Sequence, residues 1–320
     1  MVLSMLFYLA CAFKAPGLPF AREAIFLADP TVFYEKGTYY LYGTGGSRDG
    51  FLVYTSTNLK DWKGPAGVKE GYALLKGESY GTKGFWAPQV FKYQGKYYMA
   101  YTADENIAIA TGDSPLGPFK QTTLKALGGT GHKIDPFVFI DDDGKIYLYH
   151  VRLDKGNRLF VTAMEPDLSG LKETTTQLCF EVSDVWENTA HTGWPVTEGP
   201  TVLKYQQKYY LFYSANDFRN VDYAVGYAVA PTPYGPWKKY SGNPIISKQH
   251  IPAQGTGHGD FITGPNGDLW YVFHTHAGNS KVSPRKTALV KARFIKTGPT
   301  DYKVGIDTAS FYYLTTNKDN

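Results

Sequence analysis

Hydrophobic and polar residues alternate in short runs along most of the chain, and one such run occurs five times. The runs start at residues 37, 95, 144, 207 and 267 and read GTYYLYGT, GKYYMAYTA, GKIYLYHV, QKYYLFYSA and GDLWYVFHTH. Short runs that are rich in tyrosine and β-branched residues are typical of half-buried strands. Their repetition indicates that one structural unit is built several times along the chain.

A second apolar phrase precedes each run by eight or nine residues. The five phrases are DPTVFY from Asp29, APQVFKY from Ala87, DPFVFIDDD from Asp135, EGPTVLKY from Glu198 and GDFITGP from Gly259. Each pair reads as a strand, a tight polar or glycine turn and a strand, which is a β-hairpin. No segment has a sustained apolar period of 3.6 residues, so the sequence predicts little helix.

Five units of about 50–60 residues, each with about four strands, predict an all-β chain that folds as a five-bladed β-propeller. A β-solenoid has shorter repeats, and two β-sandwich domains would not explain five copies of one phrase. We therefore expect a single propeller domain over residues 19–320. In a propeller the first strand of each blade lines the central channel, so equivalent positions of the repeats form a ring at one mouth of that channel.

Residues 1–18 are interpreted separately from this fold. Residues 1–13 are apolar except for Ser4 and are fewer than the roughly 20 residues that cross a bilayer. They are similar to the apolar part of a secretion signal, and the run that ends at Cys11 resembles a bacterial lipoprotein cleavage site. We expect a leader and a secreted, periplasmic or surface location in a bacterium, and the rest of the sequence predicts no transmembrane segment.

Composition narrows the range of partners. Aromatic residues make up 16% of the 320 residues and charged residues 19%, a balance that argues against disorder. The net charge is only +4 and no basic run stands out, so nucleic acid is not an expected partner. The two cysteines, Cys11 and Cys179, are too few for a disulfide scaffold or a cysteine-based zinc site.

The ring position carries the candidate chemistry. Three of the five repeats place a carboxylic acid there, namely Asp29, Asp135 and Glu198, although acids are depleted in strands. In the other two repeats the position holds an aromatic pair, Phe85 and Trp86, or a histidine, His258. An acid before proline is often only a turn residue. Three acids at equivalent positions around one axis indicate a site instead.

Converging acids repel each other, so at least one of them should keep its proton near neutral pH. A protonated acid that faces an ionised acid is what cleavage of a glycosidic bond requires. One acid donates a proton to the leaving oxygen, and the other activates water. The sequence thus favours a glycosidase over a non-catalytic carbohydrate-binding propeller, because binding alone needs no protonated acid.

The motifs LADPTVF, KIDPFVF, VTEGPTVL and GTGHGDF together resemble those of glycoside hydrolase family 43. The resemblance runs from about residue 26 to residue 294, and the family consists of five-bladed propeller enzymes that act on arabinose- and xylose-containing polysaccharides. It implies that Asp29 is the general base, Glu198 the general acid, and Asp135 the acid that orients substrate and raises the pKa of the donor. It also implies inversion at the anomeric carbon, for which the base and acid carboxyls lie about 6.5–9.5 Å apart.

Sugar binding needs flat aromatic faces and a few polar groups. We expect Trp86 and Phe85 to supply the faces because they lie beside the ring. Arg285 lies where the family often places a substrate-binding arginine, with Arg293 as the competing candidate. The remaining candidates for the rim of the site are Asn216, Phe218 and His132.

The resemblance implies that catalysis requires no cofactor. It also implies that His258 lies near the channel centre, where in many family members a histidine helps to hold a hydrated calcium or similar ion through waters. A channel histidine without a metal is the alternative, because calcium prefers oxygen ligands. His274 and His276 alternate along one strand face, but no third ligand completes a metal pattern, so we interpret them as structural or channel-lining.

The leading hypothesis is an inverting glycosidase that releases terminal arabinofuranose or xylose from plant polysaccharide side chains or oligosaccharides. A β-galactosidase or exo-galactanase of the same fold is the first alternative, although such enzymes can depart from the base position that Asp29 fills here. A retaining fructan-acting enzyme is the second, although its relatives usually carry a Glu-Cys pair where this chain has Glu198 and Gly199.

Overall fold

Short strands, nearly all of them paired antiparallel, are the dominant regular structure in the part of the chain that the structure describes. The structure is a computed structural model that describes residues 22–45, 49–129 and 131–317. The expectations for residues 1–18, including the leader and Cys11, lie outside the described residues. Within these ranges the helical elements are two short 3₁₀ helices, η1 (Glu173–Thr175) and η2 (Val185–Asn188). No helix among the described residues has the length and apolar character needed to cross a membrane.

The strands follow each other with few long connections. The first twelve are β1 (Arg22–Ala24), β2 (Ala28–Glu35), β3 (Thr38–Thr44), β4 (Gly50–Leu52), β5 (Tyr54–Ser56), β6 (Asp61–Trp62), β7 (Tyr72–Leu75), β8 (Trp86–Tyr93), β9 (Lys96–Ala103), β10 (Asn106–Gly112), β11 (Lys133–Ile140) and β12 (Ile146–Leu153). The remainder are β13 (Asn157–Ala163), β14 (Gln177–Phe180), β15 (Thr197–Tyr205), β16 (Lys208–Ala215), β17 (Ala224–Ala230), β18 (Lys238–Lys239), β19 (Gly257–Thr263), β20 (Leu269–Thr275), β21 (Lys286–Lys296), β22 (Tyr302–Tyr313) and β23 (Thr315–Asn317).

Each repeated pair of phrases forms the first two strands of an antiparallel sheet, so the hairpin predictions are confirmed. In chain order these sheets are β2-β3-β5, β8-β9-β10, β11-β12-β13-β14, β15-β16-β17-β18 and β19-β20-β21-β22, and we call them the first to the fifth sheet. The strands β2, β8, β11, β15 and β19 contact each other in that order, and β19 contacts β2. The sheets therefore surround one axis, which is the all-β propeller architecture that the repeats predict. The first and second sheets have three strands rather than the four expected.

The core lies between neighbouring sheets because both faces of each sheet are covered. Trp62 on β6 and Phe119 after β10 are fully buried, as are many tyrosines of the second strands. Burial of each such ring stabilises the fold by roughly 1.5–3 kcal/mol. The chain ends add a last contact, since β1 pairs with β23 and β23 lies parallel to β6 of the first repeat.

Every first strand is interrupted by a β-bulge at the same place. Inside the five bulges lie residues with positive φ, namely Asp29 (47°), Ala87 (46°), Asp135 (55°), Gly199 (60°) and His258 (42°). The ring position of the fourth sheet is therefore Gly199 rather than Glu198, and that of the second is Ala87 rather than the pair Phe85 and Trp86. Both corrections have one cause. A sequence phrase does not reveal which of two adjacent residues occupies the bulge, and a shift of one residue turns a side chain to the other face of a strand.

Candidate active site

One cavity of about 390 Å³ lies where the first strands begin. It brings together most of the residues that the sequence singled out, and these are Asp29, Trp86, Asp135, Glu198, Phe218, His258 and Arg285. Its other lining residues are Glu105, Ile134, Leu153, Asn157, Trp194, Val196, Asp217 and Arg219. Three carboxyl groups from the first, third and fourth sheets thus share one cavity.

Asp29 is buried among groups that favour its charge. Arg285 donates a hydrogen bond to its carboxylate at 3.2 Å, and His258 Nδ1 lies 3.3 Å from the same oxygen, Oδ1. Burial by itself would raise the pKa of Asp29, but the polar and charged groups around it, with Arg285 as the largest contributor, together hold the pKa well below its usual range. Asp29 is therefore ionised at neutral pH.

Two histidines border Asp29, and both are neutral. The backbone N–H of Asp29 donates to His274 Nδ1 at 3.1 Å, which requires a lone pair on that nitrogen. Burial lowers the pKa of His274 well below its usual value, and the Arg285 charge adds to this effect. Burial also lowers the pKa of His258. Arg285 is therefore the main positive charge beside Asp29.

Glu198 is held by neutral donors instead of a cation. The Tyr223 hydroxyl donates to its Oε1 at 2.8 Å, and Asn157 Nδ2 donates to its Oε2 at 2.9 Å. Burial raises the pKa of Glu198 to about 7, and the Asp29 charge adds to this effect against the two donors. Glu198 can therefore hold a proton at neutral pH.

Asp135 is the most buried of the three acids and interacts electrostatically with the other two. Burial raises its pKa well above the usual range, and the Glu198 and Asp29 charges raise it further. One of its oxygens, Oδ2, accepts the backbone N–H of Gly199 at 3.1 Å. Asp135 thus fixes the backbone directly after Glu198.

The hydrogen bond from the Gly199 N–H to Asp135 differs from the equivalent hydrogen bonds at the other four bulges. At each of the other bulges the backbone N–H donates to an uncharged side chain on the second strand of the preceding sheet. The pairs are Ala87 to Thr44 (2.8 Å), Asp135 to Thr102 (2.9 Å), His258 to Ser214 (2.7 Å) and Asp29 to His274 (3.1 Å). The equivalent position of the third sheet, opposite Ile134, is Val151, which has no acceptor. The N–H of Gly199 is therefore left to the Asp135 carboxylate.

The bulge in β15 requires a glycine at position 199 for steric reasons. A Cβ atom at this position would lie 2.7 Å from the His258 ring. Its φ of 60° is also in the left-handed region, which glycine adopts without steric cost. The glycine after Glu198 therefore lets the His258 ring pack against the acid-bearing strand.

Aromatic faces line two sides of the cavity. Trp86 is 38% exposed and lies at the start of β8, one residue before its bulge, as Glu198 does on β15. Phe218 lies under Arg285, whose guanidinium carbon is 4.6 Å from the ring centroid. Of the two arginines that the sequence left open, Arg285 lines the cavity, whereas Arg293 is exposed on β21.

Three of the expected substrate-binding residues do not line the cavity. Phe85 is 5% exposed and packs against Phe51 and Tyr101 in the core, because the chain before β8 turns its side chain between two sheets. Asn216 is buried, and its amide donates to the carbonyls of Trp186 and Asp222, so it fastens a loop.

His132 lies outside the cavity lining and is exposed. Its Nδ1 is 3.5 Å from the carboxylate of Glu105, which does line the cavity. His276 contacts the backbone of a residue that lines the cavity, since its Nε2 is 2.8 Å from the Phe218 carbonyl oxygen. The interpretation of His274 and His276 as structural or channel-lining residues agrees with these contacts.

The family resemblance implies a hydrated calcium or similar ion near His258. Within the ranges that the structure describes, no group of three or more His, Cys, Asp or Glu side chains has the arrangement of a metal site. Calcium takes six to eight oxygen ligands, mostly from carboxylates, carbonyls and waters. The His258 Nδ1 atom faces Asp29 and Asp135 at 3.3 and 3.8 Å, so the imidazole interacts with two site carboxylates.

Sequence reasoning missed the residues that hold Glu198. Asn157 is the first residue of β13, and Tyr223 directly precedes β17. Neither belongs to a repeated phrase, and they are 41 and 25 residues away from Glu198 in the chain. Trp194, which also lines the cavity, lies in the connection before β15. No periodic signal could have identified these residues.

Comparison with known proteins assigns this chain to a family. The family model described as "Glycosyl hydrolases family 43" matches residues 23–298. The chain belongs to glycosyl hydrolase family 43. It is therefore a glycoside hydrolase that acts on O-glycosyl bonds, its substrate is a carbohydrate, and members of the family need no cofactor for catalysis.

Two similar proteins and one similar solved structure carry names that refer to xylose, arabinose or xylan. The chain is 28% identical to xylosidase/arabinosidase 43A of Humicola insolens, over 67% of this chain and 78% of the relative. It is 26% identical to a xylosidase/arabinosidase of Bacteroides ovatus, over 78% of this chain and 85% of the relative. A crystal structure described as an endo-1,4-β-xylanase from Bacteroides thetaiotaomicron is 38% identical, has a TM-score of 0.85, and covers 94% of this chain and 100% of its own.

Proposed function

We propose that the protein is an inverting glycosidase that releases terminal arabinofuranose or xylose from plant polysaccharide side chains or oligosaccharides. The observation that carries this proposal is the opposite behaviour of two acids in one cavity. The pKa of Asp29 is held well below its usual range, and that of Glu198 is raised to about 7. One ionised acid and one protonated acid are what the reaction needs at neutral pH.

In the proposed reaction Asp29 takes a proton from a water molecule, which attacks the anomeric carbon. Glu198 gives its proton to the glycosidic oxygen, so that the bond to the leaving sugar breaks as the bond to water forms. Asp135 orients the sugar and modulates the pKa of Glu198, since the two carboxyl groups interact electrostatically. Trp86 and Phe218 offer apolar faces to the sugar ring, and Arg285 offers donors to its hydroxyls.

An inverting geometry requires a separation of about 6.5–9.5 Å between the carboxyls of Asp29 and Glu198, because a water molecule must fit beside the sugar. Proton NMR of the first product, recorded before mutarotation, reports the stereochemistry. We expect the anomer opposite to that of the substrate. Release of the same anomer would contradict the inverting proposal.

The names of the relatives support arabinose- or xylose-containing substrates. Two relatives are named xylosidase/arabinosidase, and one solved structure is described as an endo-1,4-β-xylanase. The structural relative favours internal cleavage of a xylan chain as a second candidate function. The sizes of the products separate the two, since release of single sugars from xylo-oligosaccharides indicates terminal cleavage and mixed oligomers indicate internal cleavage.

The first test is hydrolysis of p-nitrophenyl α-L-arabinofuranoside, β-D-xyloside and β-D-galactoside, with Glu198→Gln as the control. Turnover of the arabinoside or xyloside that is lost in the variant supports the proposal. Turnover of the galactoside alone would favour the galactosidase alternative. Binding of arabino- and xylo-oligosaccharides without hydrolysis would favour a carbohydrate-binding propeller.

We also propose that a calcium ion, if bound near His258, affects stability and not the chemical step, because acid and base are both carboxyl groups of the chain. Treatment with EDTA should leave kcat unchanged, and the only expected effect is a lower midpoint of thermal unfolding. Loss of kcat that calcium restores would contradict this proposal.

A further inference from the structure

Trp194 is connected to Glu198 by two consecutive hydrogen bonds. Its indole Nε1 donates to Asn157 Oδ1 at 2.9 Å, and Asn157 Nδ2 donates to Glu198 Oε2 at 2.9 Å. Trp194 is 49% exposed and lines the same cavity as the three acids. A residue of the cavity wall thus reaches the acid through one intermediate side chain.

The indole determines which way the Asn157 amide faces. An asparagine can present either its oxygen or its NH₂ group to a neighbour, but an indole N–H can only donate. Trp194 therefore requires the oxygen of Asn157 on its side, and this leaves the NH₂ group for Glu198. Without the indole N–H the amide is free to turn and to accept a hydrogen bond from protonated Glu198.

The backbone holds Asn157 in place, so that its side chain is the adjustable part. The N–H of Asn157 donates to the Pro195 carbonyl at 2.9 Å, and the Thr197 hydroxyl donates to the Asn157 carbonyl at 3.1 Å. Gly156 lies so close to this segment that an added Cβ atom would be 2.5 Å from the Pro195 oxygen. The start of β13 is thus fixed against the segment that leads to Glu198.

The geometry points to Trp194 as a positioning residue for Glu198 that acts through Asn157. This inference rests on the proposed function, since it needs Glu198 as the proton donor. The NH₂ group of Asn157 favours the ionised form of Glu198 and limits the rise of its pKa. Trp194 therefore contributes, through Asn157, to the pH above which the donor has lost its proton. The other titratable or charged groups around Glu198 are Tyr223, Asp29, Asp135, His258 and Arg285, together with Glu105, Asp217 and Arg219 of the cavity lining.

The test is the pH profile of kcat/KM for Trp194→Phe, which keeps an aromatic ring and removes the N–H. We expect its basic limb to move up by about 0.5–1 pH unit, because one hydrogen bond to the ionised form is lost. Trp86→Phe is the matched control. Trp86 lines the same cavity, and no hydrogen bond joins its side chain to Glu198 among the described residues. Its basic limb should stay in place while KM rises.

A double-mutant cycle tests whether Asn157 is the intermediate. Asn157→Ala alone should shift the basic limb in the same direction, and Trp194→Phe should add no further shift in that background. An unchanged limb in Trp194→Phe, or an equal shift with and without Asn157, overturns the inference. If Glu198→Gln keeps full activity on unactivated oligosaccharides, the proposed function itself fails. If that variant is inactive and the limb does not move, only this inference fails.

Discussion

The two sides of the cavity hold their acids by different means. On the side of the first and fifth sheets, a full positive charge, Arg285, lies 3.2 Å from Asp29. On the side of the third and fourth sheets, Glu198 meets two neutral donors, Tyr223 and Asn157. Burial disfavours both charges, and only around Asp29 do the neighbouring groups together outweigh it, with the guanidinium as the largest contributor. Whether a buried acid is a base or a proton donor thus depends on its partners as well as on its burial.

The largest effects should follow removal of either acid. Glu198→Gln should lower kcat about 10²–10⁴-fold on oligosaccharides with poor leaving groups and much less on 2,4-dinitrophenyl glycosides, which need little protonation. Asp29→Asn should be at least as damaging on both substrates, because the water must still be activated. The measurement is kcat on the two substrate classes. An equal loss in Glu198→Gln on both would contradict the division of roles.

The charge of Arg285 should account for the low pKa of Asp29. Arg285→Met should raise that pKa by about 1–3 units, so that the acidic limb of kcat/KM moves up. Activity is lost as pH falls through the pKa of the base, so the variant should lose activity at mildly acidic pH where the parent protein keeps it. Arg285→Lys retains the charge and is the matched control. If the acidic limb lay at the same pH in Arg285→Met and Arg285→Lys, the charge of Arg285 would not be the cause of the low pKa of Asp29.

The neutral donors should limit the rise in the pKa of Glu198. Tyr223→Phe removes the bond to Oε1 and should move the basic limb up by about 0.5–1 pH unit. Activity is lost as pH rises through the pKa of the donor, which is about 7, so the variant should stay active at higher pH. Tyr101→Phe, whose hydroxyl donates to the Tyr80 carbonyl elsewhere, is the control. A downward shift in Tyr223→Phe would contradict this reasoning.

The smallest expected effect concerns Val151. Val151→Thr should offer the N–H of Gly199 a hydroxyl acceptor, as three of the other four bulges already have, and so release the Asp135 carboxyl group. Since a hydrogen bond is worth about 1 kcal/mol, we expect kcat/KM to fall up to about fivefold. Val151→Ala, which adds no acceptor, separates this effect from altered packing. The thermal midpoint of both variants shows whether the fold has been retained.

The sequence alone determined the repeating hairpins, the propeller class and the set of three acids. Periodic phrases were sufficient for this because strand alternation and turn residues are local properties. Because of the bulges, the predicted ring position was wrong by one residue at Glu198 and at Trp86. The repeated phrases also gave no indication that Phe85 packs in the core. The family resemblance that the motifs suggested is confirmed by the family match.

Only the tertiary structure decided what surrounds each acid. Arg285 reaches Asp29 across 256 residues of chain, and Asn157 and Tyr223 reach Glu198 from two other connections. These contacts depend on how the sheets close around the axis, and a pKa depends on such neighbours and on burial. A sequence can therefore supply the acids, but the fold determines which of them is ionised.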